Sequence, residues 1–269
     1  AYRHHVKYAS YKDGVINDDR VKSLAALQVQ YDTERTLKQQ EELRRKLLEV
    51  EQTALQSQMN PHFVSNALYA IQGLITDGEK EAANRYLSRF AKLIRLTLEQ
   101  VRKRFISLTE EVQTISLYLE LESLRFQKKF DYTIVVEDGL NTQELKIPPM
   151  LLQPYIENAI KHGILPTGRS GRLLIKIRKY NHGYLQCIIE DNGIGRNESI
   201  RRKKLNNHHT SLGMNITKER LSLLQQSLNK EFEVDIIDLF DEDGKTSQGT
   251  RVMITLPQLN EALLTEAFL

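Results

Sequence analysis

The hydrophobic period of this chain changes once, and that change limits it to a helical first part followed by a part built on a sheet. From Val21 to Gln58 there is no proline or glycine. Leu24, Leu27, Tyr31, Leu43, Leu47, Val50 and Ala54 recur there at helical spacing, which predicts a long helix with one narrow apolar seam. Such a helix has no core of its own to cover the seam, and Glu41, Glu42, Arg44, Arg45 and Lys46 flank it. Pairing in a dimeric coiled coil is the expectation, with a lone amphipathic helix on a neighbouring domain as the other reading. Pro61 removes a helical N–H, so the helix either kinks there or restarts with Asn60 as N-cap and Pro61 at the first position. His62 then stands in a first turn or beside a kink.

Phe63, Ala67, Ala70, Ile71, Leu74 and Ile75 carry the apolar face to Asp77-Gly78, a turn signal. A second helix is expected from Glu79 to about Arg102, with Ala83, Tyr86, Leu87, Phe90, Leu93, Ile94, Thr97 and Val101 inward. Two helices joined by a short turn form an antiparallel hairpin, and two hairpins can dimerise into a four-helix bundle. Ser107 and Thr109, followed by Glu110 and Glu111, open a further helix to about Gln127.

Beyond that helix, β-branched runs at about 131–137, 172–180, 184–191, 232–239 and 249–256 read as strands. Asn181-His182-Gly183 and Asp241-Glu242-Asp243-Gly244 supply hairpin turns, and helices are expected at about 149–164 and 212–228. Three helices on a mostly antiparallel sheet of about five strands make a two-layer α/β sandwich, so the fold class is α+β.

A length of 269 residues with 40% hydrophobic side chains suits two modest domains and a connector. The single cysteine, Cys187, lies in an apolar strand and has no internal disulfide partner, which fits a reducing cytoplasm. The net charge of +3 is spread along the chain, which argues against direct nucleic-acid binding. No run reaches the roughly 18 apolar residues of a membrane span, and no leader is recognised. Because the chain opens on Ala1, an upstream sensor region in the full-length protein, with its own membrane anchor, is an open expectation.

Three pieces of the second part ask together for a nucleotide. Pro154 to Gly163 places Asn158, Lys161 and His162 within one turn, an amide oxygen for a hard cation beside basic groups for phosphates. Asp191-Asn192-Gly193-Ile194-Gly195 ends a strand, with glycines that admit a planar ligand and a carboxylate to accept from an exocyclic amine. Ser211-Leu212-Gly213-Met214-Asn215 opens a helix whose free N–H groups suit a triphosphate.

These pieces resemble the N, G1 and G2 boxes of the Bergerat (GHKL) ATP-binding fold shared by sensor histidine kinases, DNA gyrase and MutL. Gln58-Met59-Asn60-Pro61-His62-Phe63, with Asn66, resembles the acceptor signature of LytS-type sensor histidine kinases. The similarity covers about 55–257, including Tyr118-Leu119, Arg125-Phe126 and Gly249-Thr250-Arg251. It implies that ATP and Mg²⁺ are the cofactors. Asn158 would hold the Mg²⁺, Asp191 the adenine amino group, Gly193 and Gly195 the base-side loop, Gly213 the phosphates, and Thr250 would assist Asp191 through water. It also implies a homodimer and a response regulator whose receiver aspartate takes the phosphate from His62. The organisation expected is an upstream remnant at 1–20, a signalling helix at 21–59, a dimerisation and phosphotransfer hairpin at 60–105, a catalytic domain at 106–258 and a tail at 259–269.

Two departures from the family pattern stand out: Ser65 replaces a frequent aromatic, and Ser211 a frequent glycine. The polar run between Arg196 and Thr210 has the composition of a mobile lid. No carboxylate lies one, three or four residues from His62, so Asn66 is the candidate to fix the imidazole tautomer. A hydrolytic ATPase of the gyrase type needs a glutamate four residues before Asn158, where Pro154 stands. That leaves a non-catalytic ATP-binding scaffold as the main alternative to a kinase.

Overall fold

A computed structural model describes residues 61–181, 183–205, 212–244 and 246–268, together with residues 24, 26–38 and 41. Residues 26–38 are helical, and Leu27, Tyr31 and Leu37 are each at least 60% exposed, so the described part of the apolar seam is open to solvent. The rest of the helix expected at 21–59 lies outside the described residues.

From Pro61 onward the chain forms one compact unit. Helices α1 (Pro61–Thr76) and α2 (Lys80–Val101) form the hairpin, turned at Gly78, whose φ of 81° lies in the left-handed region. Ala67, Ile71, Ala83, Tyr86 and Leu93 bury its inner face, whereas Ile75 and Leu87, both expected inside, are 56% and 47% exposed. Their faces look away from the rest of the chain, as does Ser65, which is exposed and takes no part in the packing of the hairpin on the sandwich.

After a short strand β1 (Ile106–Ser107), α3 (Leu108–Arg125) begins with a full capping box. The Ser107 hydroxyl accepts from Glu110 N–H at 3.2 Å, and Ser107 N–H donates to the Glu110 carboxylate at 2.7 Å. The hairpin packs along α3: Gln100, 2% exposed, donates to Thr114 Oγ1 at 2.8 Å, and Arg89 pairs with Glu120 at 2.9 Å. The Phe63 ring lies 5.6 Å from that of Tyr118 and 5.8 Å from that of Phe90.

Strands β2 (Phe130–Val136), β4 (Gly171–Tyr180), β5 (Tyr184–Asp191), β6 (Glu233–Phe240) and β7 (Ser247–Pro257) form one sheet in the order β2-β4-β5-β7-β6. Only β2 and β4 run parallel; the other neighbours are antiparallel. A separate pair joins β1 to β3 (Lys146–Ile147). Alternation along β4 turns Leu173, Ile175 and Ile177 inward, and Cys187, fully buried on β5, lies in the same layer with its thiol pushed well above the usual range by that burial. On the outer face Arg251 pairs with Glu190 across β5 and β7 at 2.7 Å.

The helical layer continues with α4 (Gln153–Asn158), α6 (Leu212–Leu228) and a terminal α7 (Glu261–Phe268). Gly195–Leu205 forms helix α5, where the polar run had read as lid; the remainder of that run lies outside the described residues. Arg196 fixes the start of α5 to β6 through a two-pronged pair with Asp238, at 3.1 and 3.0 Å. Among the described residues no helix is long and apolar enough to cross a membrane.

Candidate functional site

A cavity of about 290 Å³ opens between the helical layer and strands β5, β7 and β6. Asn158 lines it from the end of α4, His162 from the turn that follows, Asp191 from the end of β5, and Thr250 from β7. Tyr155, Ile189, Ile236 and Val252 give it apolar walls, joined by Met214 of α6 and Ile200 of α5. An apolar slot with a few convergent polar groups suits a planar heterocycle.

The floor depends on a local change of helix pitch. After Asn158 the helix widens into a π turn, Ala159–Ile164, a feature common at functional sites. It carries Gly163 against Asp191: a Cβ at Gly163 would stand 2.7 Å from Asp191 Oδ1. The Gly163 carbonyl accepts from Ile194 N–H at 3.1 Å, and a side chain at Gly193 would strike the Gly163 backbone. Gly249, at φ 121°, lets β7 pass beside the Asp191 carbonyl. Three glycines thus let main chain close around one carboxylate.

Asp191 is 5% exposed, and its Oδ1 accepts from Gly193 N–H at 2.8 Å. Burial pushes its carboxyl up to about 6, against the opposing pull of the Gly193 and Thr250 N–H groups; Glu190 and Asp238 add to the rise. Thr250 faces Asp191 directly across the β5–β7 ladder.

Asn158 donates its amide N–H to the Pro154 carbonyl at 2.6 Å, which leaves Oδ1 as the acceptor in a side chain that lines the cavity. Lys161 is placed differently from the expected phosphate contact. Its ammonium is held by Glu157 at 2.7 Å one helical turn back, and it is not among the cavity residues. Glu157 also accepts from Gln153 at 3.3 Å, so it is engaged on both sides.

Gly195, at φ 74°, lines the cavity and opens α5, and Gly213 lies in the first turn of α6. Ser211 is outside the described residues. His62 is the second residue of α1, its imidazole outside the described side chains, and Asn66 is half-buried one turn on. Sequence reasoning missed the role of Gly163. Its only signal was a glycine at the end of a helical motif, and its contact with Asp191 depends on the π turn. Tyr155, Ile236 and Val252 looked like any other apolar core residues.

Residues 50–130 match the model of the "Histidine kinase" family, and residues 148–260 that of the "Histidine kinase-, DNA gyrase B-, and HSP90-like ATPase" family. The chain belongs to the LytS-type sensor histidine kinases. It is 30% identical over 210 residues to the sensor histidine kinase BtsS of Escherichia coli, covering 77% of this chain and 33% of that one. To the sensor protein LytS of Oceanobacillus iheyensis it is 31% identical over 229 residues, covering 82% and 36%. The chain therefore spans about a third of the length of these curated relatives. A histidine kinase domain from a blue-light activated histidine kinase of Erythrobacter litoralis superposes with a TM-score of 0.41 at 18% identity, covering 82% of this chain and 98% of that one. An ATPase domain of the histidine kinase type implies ATP binding.

Proposed function

We propose that this LytS-type core takes the γ-phosphoryl group of Mg-ATP onto His62 and passes it to an aspartate of a response-regulator receiver domain. The observation that carries the reading is that Asn158 and Asp191 line one cavity, in a chain whose α1 begins Pro61-His62-Phe63. The adenine amino group would donate to Asp191, with Gly193 and Gly195 shaping the base-side loop and the N–H groups around Gly213 meeting the phosphates.

Magnesium suits Asn158 because this ion takes few protein oxygens and completes its shell with phosphates and water. When bound, it would neutralise charge on the β- and γ-phosphates. A neutral imidazole, with an ordinary pKa of about 6.5, needs no strong base to act as nucleophile. One ring nitrogen bonds to the γ-phosphorus, the bond to the β–γ bridging oxygen breaks, ADP departs, and the ring gives up its other proton to solvent. Asn66, one turn from His62, is the residue proposed to hold the reactive tautomer.

Hydrolysis of ATP by an activated water is disfavoured. Pro154 stands at the position of the gyrase-type base, and Glu157 is engaged by Lys161 and Gln153. Homodimerisation is supported by the exposed apolar side chains Leu68, Tyr69, Ile75 and Leu87 on the hairpin. An upstream sensor region in the full-length protein would feed the segment at 21–59.

Incubation with γ-labelled ATP and Mg²⁺ tests the proposal. Wild type is expected to take up acid-labile, base-stable label that His62→Ala abolishes. Label retained by His62→Ala, or ATP binding without any label, overturns it; the second outcome is that of a signalling scaffold.

A further inference from the structure

We infer that Tyr118 is a positioning residue for phosphoryl transfer: from α3 it seats Phe63, the residue after His62. The inference rests on the kinase reading above.

The contact joins two parts of the molecule that the reaction must hold in register. Phe63 is half-buried on α1, and its ring lies 5.6 Å from that of Tyr118 on α3. Tyr118 is 1% exposed, so its ring is gripped by the core and cannot follow movements of α1. Burial pushes the Tyr118 hydroxyl well above the usual phenol range, and the charges of Glu157 and Glu122 add to the rise. Glu157 is the residue before Asn158 and is clamped by Lys161 at 2.7 Å and Gln153 at 3.3 Å.

The rest of the docked surface is an anchor of a different kind. Arg89–Glu120 and Gln100–Thr114 tie α2, not α1, to α3. They hold the hairpin in place while the Phe63–Tyr118 contact sets the lie of the first turn of α1. In-line transfer is sensitive to displacement of the acceptor, and a shift of about 1 Å can cost about a hundredfold in rate. ATP binding need not change, because neither ring contributes to the Asp191–Thr250 end of the cavity.

The test is single-turnover autophosphorylation of Tyr118→Leu, Tyr118→Phe, Phe63→Leu and the double leucine variant, read as the rate constant kcat at saturating Mg-ATP, with titration of a non-hydrolysable ATP analogue as the fold control. Tyr118→Leu and Phe63→Leu are each expected to lower kcat about tenfold or more, with analogue affinity within about twofold of wild type. Tyr118→Phe, which keeps the ring, restores kcat. The double variant loses no more than the larger single loss, because both remove one contact. If Tyr118→Leu fails to fold, the half-buried Phe63→Leu carries the test. An unchanged or raised kcat, or a fall in analogue affinity parallel to kcat, overturns the inference while a labelled wild type leaves the kinase reading standing. A wild type that takes no label at His62 overturns both.

Discussion

Replacing Gly163 by alanine tests whether the carboxylate of Asp191 is held where a ligand needs it. Gly163 lies in the π turn with no positive φ, so alanine is compatible with the backbone and the effect comes from the added methyl. Its Cβ would stand 2.7 Å from Asp191 Oδ1 and 3.1 Å from Cγ. Ordinary contact begins near 3.4 Å, so the carboxylate oxygen must retreat by 3.4 − 2.7, or 0.7 Å. Asp191 has little room to do so, because Gly193 N–H holds the same oxygen at 2.8 Å. The methyl therefore stretches that bond or turns the carboxylate off the cavity. Loss of one hydrogen bond to a charged group is worth about 1.5–3 kcal/mol, which is about a ten- to hundredfold loss of ATP affinity. Overpacking itself costs about 1–3 kcal/mol of stability. Titration calorimetry with a non-hydrolysable ATP analogue reads the first effect and denaturant unfolding the second. Gly73→Ala is the control: nothing lies within 4 Å of its added methyl on α1, so affinity stays unchanged and stability rises slightly. Analogue affinity of Gly163→Ala within twofold of wild type, in a folded protein, would refute the reasoning.

Further expectations follow from the two buried carboxylates. With the Asp191 carboxyl at about 6, affinity for the ATP analogue should weaken as pH falls from 7.5 to 5.5, since the protonated acid loses acceptor capacity, and Asp191→Asn should bind weakly with that pH step removed. Glu111, 1% exposed, accepts from Met150 N–H at 2.9 Å and Leu152 N–H at 3.1 Å just before α4; burial nevertheless raises its carboxyl from the ordinary 4.5 to about 7. A raised acid binds its proton more tightly in the fold, so its stabilisation is full below pH 4.5 and is lost as pH rises through about 7. That difference amounts to about 3 kcal/mol, and Glu111→Gln should flatten the unfolding midpoint between pH 5 and 8. Gln100→Leu should cost about 1–3 kcal/mol by unfolding, because it strips Thr114 of a buried donor at 2.8 Å.

Most of the sheet was readable from alternation: the run at 184–191 is β5, with Leu185, Cys187 and Ile189 buried, and the Asp241–Gly244 turn closes β6 onto β7. Helix α5 was not readable. Arg196 to Leu205 has good helix formers but no apolar stripe, and its tie to the sheet is an Arg196–Asp238 pair whose partners lie 42 residues apart. The same limit explains Gln100, a polar side chain buried because the start of α3 supplies its acceptors. At the site, Asn158, His162, Asp191, Gly195 and Thr250 line one cavity. Lys161 went the other way for a reason visible in its spacing: Glu157 lies four residues before it, the favourable helical pairing. The close approach of Gly163 to Asp191 had no sequence signature, because a π turn arises from tertiary contacts rather than from local propensity.

The destination of the phosphoryl group separates a kinase from a scaffold most directly. After incubation of the protein with Mg-ATP at neutral pH, tandem mass spectrometry under conditions that preserve phosphohistidine is expected to locate a single phosphoryl group on His62. A phosphoryl group on another residue, or an unmodified His62 in protein that binds ATP through Asp191, would contradict it.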